Sequence, residues 1–125
     1  MKKSVFRSIS IALVLTFVLS SSAFAASSKA ILTEFDLSAK SANIGMSKKV
    51  SYDCLNNINS VFSVYADVYY MADNATKFTK VANPLTVPGD YNSGIRTEAR
   101  TGTWYLDLNP KGPLFGSKAV GNISF

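Results

Sequence analysis

The residue types of this chain exclude most side-chain catalysis before any fold is considered. Its 125 residues include no histidine and a single cysteine, Cys54. Without histidine there is no Ser-His-Asp or Cys-His arrangement, no histidine-based zinc or copper site and no histidine pH switch. One thiol cannot build a thiolate metal cluster, and no glycine-rich phosphate loop is present. We therefore expect no metal site and no cofactor.

Carboxylates are the acid–base groups that remain, and the chain has eight of them. A glycosidase needs two carboxyl groups held about 5–9.5 Å apart in a cleft. A single small domain has little material for such a cleft, and Asp and Glu are residues that any soluble sheet exposes. We therefore predict that the protein is not an enzyme and assign no catalytic residue.

Aromatic residues provide the first candidate binding surface. Tyr65 and Tyr69 lie on the polar-parity face of a long predicted strand, and Tyr105 lies on the corresponding face of another. If the two strands share a sheet, the three tyrosines can line a surface suited to stacking on sugar rings or to binding a partner protein. Cross-strand packing that merely covers the sheet is the alternative interpretation.

A turn-rich segment, residues 109–116, provides the second candidate. It contains two prolines and two glycines, and it places Leu114 and Phe115 in a loop. Large apolar side chains in a loop either close the end of a core or contact something else. Leu114 and Phe115 therefore join the three tyrosines as candidate ligand-binding residues.

The elements that position these residues are strands, because apolar and polar residues alternate with a period of two along most of the chain. One pair of strands is predicted to form a hairpin over residues 95–108 that turns at Thr101-Gly102, since glycine supplies the positive φ that two-residue loops need. That register puts Trp104, Leu106 and Leu108 on one apolar face. The other strands are predicted at residues 31–38, 47–54, 60–71, 76–82 and 119–125.

About seven short strands with turn signals between them predict an all-β fold. We expect a small antiparallel two-sheet sandwich of Greek-key or immunoglobulin-like type, with a small open barrel as the alternative. Cys54 shares its parity with Val50 and Tyr52, which predicts that it is buried. A reactive thiol or an intermolecular disulfide is the other interpretation of this cysteine, since one cysteine allows no disulfide within the chain.

Residues 1–25 have the pattern of a secretory signal peptide of bacterial style. Lys2, Lys3 and Arg7 precede an apolar run over residues 9–19, and Ala23 and Ala25 occupy the −3 and −1 positions of a cleavage site. The run is too short to span a bilayer as a helix. We predict removal of residues 1–25, a single domain over residues 26–125 without a transmembrane anchor, and secretion by the general secretory route.

The charge balance depends on this signal. The whole chain has a net charge of +5, but residues 1–25 carry three of the 13 basic residues and none of the 8 acidic ones. Residues 26–125 therefore have a net charge of +2, without the clustered basic face that nucleic-acid binding requires. We expect no nucleic-acid partner.

These observations predict a secreted, non-enzymatic binding module. Its expected partner is a component of the cell envelope, glycan or protein, or another protein outside the cell. The alternative is an exported antimicrobial, bacteriocin-like or toxin-like protein that acts on other cells. Small size, slight positive charge and a disulfide-free β fold are compatible with both.

Overall fold

The structure, a computed structural model, describes residues 27–125. The predicted signal peptide over residues 1–25, with Ala23 and Ala25, lies outside the described residues. The eight strands of the described part are β1 (Ser27–Leu32), β2 (Ala39–Lys40), β3 (Ile44–Asn56), β4 (Val64–Ala72), β5 (Thr79–Ala82), β6 (Leu85–Thr86), β7 (Tyr91–Pro110) and β8 (Ala119–Ser124).

Antiparallel hydrogen bonding joins these strands in the order β1-β8-β3-β7-β4-β5, with β2 paired to β7 and β6 to β4. Residues 27–125 contain no helix, so the all-β prediction is confirmed. The same residues accordingly hold no helix with the length and apolarity to cross a membrane. The strand order separates neighbours in sequence, since β8 lies between β1 and β3 and β7 lies between β3 and β4.

The predicted hairpin at Thr101-Gly102 is wrong, because β7 continues through these residues as one strand of 20 residues. Gly102 pairs with Ser47 of β3 on one side and with Ala72 of β4 on the other. A Cβ atom at this position would collide with the Met71 carbonyl oxygen and the Tyr70 ring. Glycine is therefore needed here for the close approach of β4, and not for a turn.

The core forms where the C-terminal half of β7 packs against β3 and β8. Trp104, Leu106 and Leu108 of β7 are fully buried, together with Val50 and Cys54 of β3. The indole Nε1 of Trp104 donates a hydrogen bond of 2.8 Å to the Ser47 carbonyl, so its polar atom is satisfied. The predicted apolar face of residues 104–108 is therefore correct, although its partner strand is not the predicted one.

Cys54 lies in this core, as its parity with Val50 predicts, and its thiol is free. Burial raises the pKa of the thiol and the neighbouring Asp53 raises it further, while the nearby Thr86 hydroxyl lowers it. Since the thiolate is the reactive form, the buried Cys54 thiol has low reactivity in the folded protein.

Two predicted strands differ in extent from the observed ones. The strand predicted at residues 31–38 ends at Leu32, and its buried residues are Ala30 and Leu32, whereas Ile31 is exposed. The strand predicted at residues 60–71 begins at Val64. In both cases the residues outside the strand form loops at one end of the molecule, and these loops contribute to the candidate site.

Candidate functional site

The predicted tyrosine surface lies on one sheet, because β4 and β7 are neighbours and Tyr69 lies directly opposite Tyr105. Their rings stack with centroids 4.7 Å apart and 12° between planes. The Lys40 Nζ lies 4.0 Å from the Tyr105 ring centroid. β2 and β4 flank opposite edges of β7, so Lys40 and Tyr69 approach Tyr105 from opposite sides.

Tyr69 and Tyr105 therefore form a stack within the protein, and all three predicted tyrosines are half-buried. The Phe78 ring meets Tyr105 edge-on at 4.7 Å, and the Lys80 Nζ lies 6.0 Å from the Tyr69 ring centroid. Ring faces that already contact lysines and each other are poorly available to a sugar. Tyr65 lies further along the same face, opposite Asn109, and takes no part in the stack.

Beside this stack two carboxylates face each other across β4 and β7. Asp67 lies directly opposite Asp107, and the Asp67 side chain is only 2% exposed. The Asp67 Oδ2 lies 3.6 Å from the Lys80 Nζ and accepts a hydrogen bond of 3.3 Å from the Asn109 amide. The Oδ1 atoms of both aspartates are buried without a hydrogen-bond partner among the described residues. Like charges directly opposite on a sheet destabilise it.

Burial raises the pKa of Asp107, and the Asp67 charge raises it further, while Lys40 and Lys80 oppose this shift. The folded protein therefore holds a proton on Asp107 at pH values where the unfolded chain has lost it. The resulting contribution to stability is fully present below the unfolded pKa and is lost as the pH rises through the folded pKa. Above the folded pKa of Asp107, its carboxylate charge adds to the repulsion with Asp67.

We expect Asp107→Asn to raise the melting temperature at neutral pH by several degrees. The substitution removes the repulsion with Asp67 and provides an amide donor for an oxygen that has no partner. Thermal unfolding at pH values from about 3 to 8, in steps of about one pH unit, measures the change in melting temperature. The advantage of the variant should shrink towards acid pH, where the wild-type carboxyl is protonated.

Glu34→Gln is the matched control for this prediction. Glu34 pairs with Lys118 at 3.1 Å, and both side chains are nearly half exposed. Such surface pairs contribute about 0–1 kcal/mol, so we expect little change at any pH. A melting temperature of Asp107→Asn at or below that of the wild type at neutral pH would contradict the unfavourable pairing.

Leu114 and Phe115 lie in the loop between β7 and β8, and they are 66% and 56% exposed. Their exposure rules out the interpretation that they close the end of the core. The β1–β2 loop and the β3–β4 loop are hydrogen-bonded to this loop, and the β6–β7 loop lies beside Ile58 of the β3–β4 loop through Gly89. We call this region, formed by residues 33–38, 57–63, 87–90 and 111–118, the loop end. Its exposed large apolar residues are Phe35, Leu37, Ile58, Val61, Val87, Leu114 and Phe115.

Backbone hydrogen bonds connect the loops of the loop end to one another. The Gly116 amide donates to the Glu34 carbonyl at 3.0 Å, and the Val61 amide donates to the Gly116 carbonyl at 3.1 Å. Gly116 has a φ of 114°, a conformation that glycine adopts without steric cost. The apolar side chains are therefore carried by loops that are held to each other, which is the arrangement of a binding surface on a rigid scaffold.

A buried asparagine holds the inner side of the loop end. Asn56 is 1% exposed, and its Nδ2 donates to the carbonyls of Phe62 at 3.1 Å and Thr86 at 2.9 Å. Its backbone pairs with the loop before β7, through the Gly89 amide at 2.9 Å and the Asp90 carbonyl at 3.0 Å. One residue therefore connects the β3–β4 loop with the β6–β7 loop.

The structure also contains an open groove that the sequence pattern did not predict. It lies on the outer face of β3, β7 and β8 and has a volume of about 520 Å³. Asp53 is opposite both Ser93 and Asn122, and Tyr91 lines the groove. The signal is weak in the sequence because these residues come from three separate strands, and each looks like an ordinary solvent-facing position.

Comparisons with known proteins leave the chain without a family. No protein-family model matches it, and no curated protein matches it. Among solved structures it is similar to the structure of infectious bursal disease virus Gx strain, with 8% identity and a TM-score of 0.36, over 83% of this chain and 30% of that chain. The chain therefore spans less than a third of the viral protein.

The chain is also similar to the Drosophila melanogaster CENP-C cupin domain, with 14% identity and a TM-score of 0.28, over 73% of this chain and 62% of that one. The structure of CENP-C bound to CAL1 matches with the same identity and TM-score, over 74% and 68%. TM-scores this low define neither a fold family nor a function. The class that the geometry defines is an antiparallel all-β domain with a free buried cysteine. Its two candidate surfaces are the loop end and the groove on β3, β7 and β8.

Proposed function

We propose that this protein is exported and acts outside the cell as a non-enzymatic binding module, which attaches to an envelope component or another protein through the loop end. The observation that carries this proposal is the set of large apolar side chains on hydrogen-bonded loops. Phe35 and Ile58 are 78% and 76% exposed, more than any other large apolar residues of the described part. Large exposed apolar side chains gathered on neighbouring loops support an interaction site at this end of the molecule.

Export is the second part of the proposal, and it rests on the signal pattern of residues 1–25. A lysine- and arginine-containing start, a short apolar run and small residues at the cleavage positions are typical of secreted proteins. The fold is compatible with an oxidising compartment, because the buried Cys54 has no second cysteine in the chain with which to pair.

We also propose that the sheet is curled into a Greek-key sandwich, although hydrogen bonds connect its strands continuously. The support is the close packing of β8 on β7, two strands that are not hydrogen-bonded neighbours. A Cβ atom at Gly121 would lie 2.6 Å from the Leu106 Cδ2 and 2.9 Å from the Leu108 Cδ2. Facing strands in contact through their side chains are a feature of sandwiches.

Co-sedimentation of the purified protein with isolated bacterial cell walls and with intact bacterial cells tests the binding proposal. We expect saturable binding that falls about tenfold or more in the double variant Phe35→Ser/Phe115→Ser, since exposed anchor residues carry most of the energy of an interface. Met46→Ser is the matched control, because Met46 is 53% exposed but lies near the start of β3, away from the loop end.

Two outcomes would contradict the proposal. The first is the absence of saturable binding to walls and to cells. The second is equal binding by the double variant and the wild type, which would place the contact elsewhere on the molecule. Circular dichroism of each variant confirms that the fold is retained before binding is scored.

A membrane-active, toxin-like protein is the second candidate, and the composition of the loop end is the specific observation that favours it. Phenylalanine, leucine, isoleucine and valine at loop tips can enter the interface of a bilayer. This candidate predicts leakage from vesicles of phosphatidylcholine and phosphatidylglycerol, and loss of viability in the co-sedimentation tubes. Binding without leakage or killing favours the binding module.

A further inference from the structure

The groove on the outer face of β3, β7 and β8 is built around a fixed carboxylate. The Asp53 Oδ1 accepts hydrogen bonds from the Asn122 backbone amide at 3.0 Å and from its Nδ2 at 2.9 Å. The Asp53 Oδ2 accepts one from the Tyr91 hydroxyl at 3.3 Å. A carboxylate held by three donors from two other strands is preorganised, so binding a ligand costs little side-chain entropy.

The floor around Asp53 is lined by small hydroxyl side chains. Ser51, Ser93 and Ser124 line the groove with Asp53 and Asn122. Ser51 lies opposite Ser124 on one side and opposite Ile95 on the other, one step along from the row that contains Asp53. Hydroxyl, amide and carboxylate groups together supply both donors and acceptors, the combination that a polyhydroxylated ligand requires.

Aromatic side chains lie at both ends of this polar floor. Tyr91 is 56% exposed, and its hydroxyl bond to Asp53 fixes the ring at one end. A second depression of about 340 Å³ shares Ser51 with the groove and is lined by Phe125, which is 44% exposed. Tyr91 pairs with Leu55, whereas Ser124, next to Phe125, pairs with Ser51. Four residues of strand separate these positions, roughly 13 Å.

Strand pairing and charge restrict the ligands that the groove can take. β8 and residues 51–55 of β3 are paired on both sides, so their backbone groups are used and a peptide cannot add to them as a further strand. Residues 91–95 of β7 pair with β3 alone. The 520 Å³ groove is lined by the Asp53 carboxylate and the adjoining depression by Lys49, so the side chains of the two together carry no net charge, which favours a neutral ligand over an anionic one.

We infer that this groove is a binding site for a neutral oligosaccharide. The apolar faces of the sugar rings stack on Tyr91 and Phe125, and their hydroxyl groups bind to Asp53, Asn122 and the serines. In small-molecule sites, apolar walls commonly provide the affinity and a few polar groups fix the orientation of the ligand. The site is separate from the loop end, so the inference does not depend on the proposed function.

NMR titration of the 15N-labelled protein with chitotetraose, cellotetraose and maltotetraose, each at millimolar concentration, tests the inference. We expect at least one of these sugars to produce saturable shifts of amides in residues 51–53, 91–95 and 122–124. Tyr91→Ala should weaken binding about tenfold or more, the loss expected for a central aromatic contact. Ser93→Trp should abolish binding, because the indole occupies the floor.

Ile31→Ala is the matched control, because Ile31 is 58% exposed on β1, a strand that carries no residue of the groove or of the loop end. We expect it to bind the sugar as the wild type does. The inference is overturned if none of the three sugars gives a saturable shift. It is equally overturned if the shifts map to other residues, or if Tyr91→Ala and Ser93→Trp bind normally while their spectra show the native fold. Loss of cell-wall binding in the loop-end variant bears on the proposed function alone.

Discussion

Asn56→Ala is expected to destabilise the protein by about 2–4 kcal/mol, because it leaves one buried and one partly buried carbonyl group without their donor. For a domain of about 100 residues this corresponds to a fall in melting temperature of roughly 10–30 °C. The Asn56 Nδ2 is the donor to the carbonyls of Phe62 and Thr86, and the side chain is buried. Urea unfolding monitored by Trp104 fluorescence measures the change in the free energy of unfolding.

The same substitution should loosen the loop end more than the rest of the molecule. Phe62 and Thr86 lie at the ends of the two segments that Asn56 connects, so their amide neighbours should exchange hydrogen faster in the variant. We therefore expect wall or cell binding to weaken even at temperatures where the core remains folded. That result would show that the hydrogen bonds of Asn56, which hold the two loops together, contribute to the proposed binding.

Asn57→Ala is the matched control for this prediction. Asn57 is the next residue and is exposed, and its Oδ1 accepts a hydrogen bond of 2.8 Å from the Asn59 amide within the same turn. We expect a loss of about 0.5–1 kcal/mol or less, since water can replace an exposed bond. Equal stability of the Asn56→Ala and Asn57→Ala variants would show that the buried amide does not hold the loops.

Gly121→Val is expected to destabilise the protein by about 3 kcal/mol or more, through overpacking of the core. A Cβ atom at this position would lie 2.6 Å from the Leu106 Cδ2 and 3.0 Å from the Asp53 carbonyl oxygen. The two leucines that face it are fully buried and have no free space to move into. The φ of Gly121 lies outside the left-handed region, so the effect reports packing and not backbone strain.

Ser124→Val provides the comparison for Gly121→Val. Ser124 lies on β8 with its side chain on the opposite face, where it lines the groove. A β-branched residue is well accepted in a strand, and we expect a change within about 0.5 kcal/mol. Chemical denaturation of the three proteins under identical conditions is the measurement. If Gly121→Val retained wild-type stability, the close packing of β8 on β7 would be contradicted.

The amino-acid sequence predicts the secondary-structure class of this protein correctly, because alternation of period two is a local property of each strand. Val50 and Cys54 are buried as their parity predicts, and so are Val64, Ala66 and Val68. The sequence also restricts the chemistry, since residue types that are absent from the chain cannot be supplied by any fold. Lack of histidine is such a restriction.

Glycine is where local interpretation fails most clearly. Thr101-Gly102 has the composition of a hairpin turn, but Gly102 lies within β7 and allows β4 to approach. Both situations require the absence of a side chain, one for conformational and one for steric reasons. The distinction depends on which strand lies alongside, and that strand is Val64–Ala72, some thirty residues earlier in the chain.

The candidate sites also divide into features that the sequence predicts and features that depend on the tertiary structure. Sequence alone placed Leu114 and Phe115 in a loop and put Tyr69 and Tyr105 on polar-parity faces. Only the tertiary structure decided that the tyrosine rings stack on each other, that the loops carrying Phe35 and Ile58 join the loop that carries Leu114 and Phe115, and that Asp53, Tyr91 and Asn122 line one groove. The reason is the order of β8, β3 and β7 in the sheet, which is set by long-range pairing and by the fit of the core, and is not encoded in any local pattern.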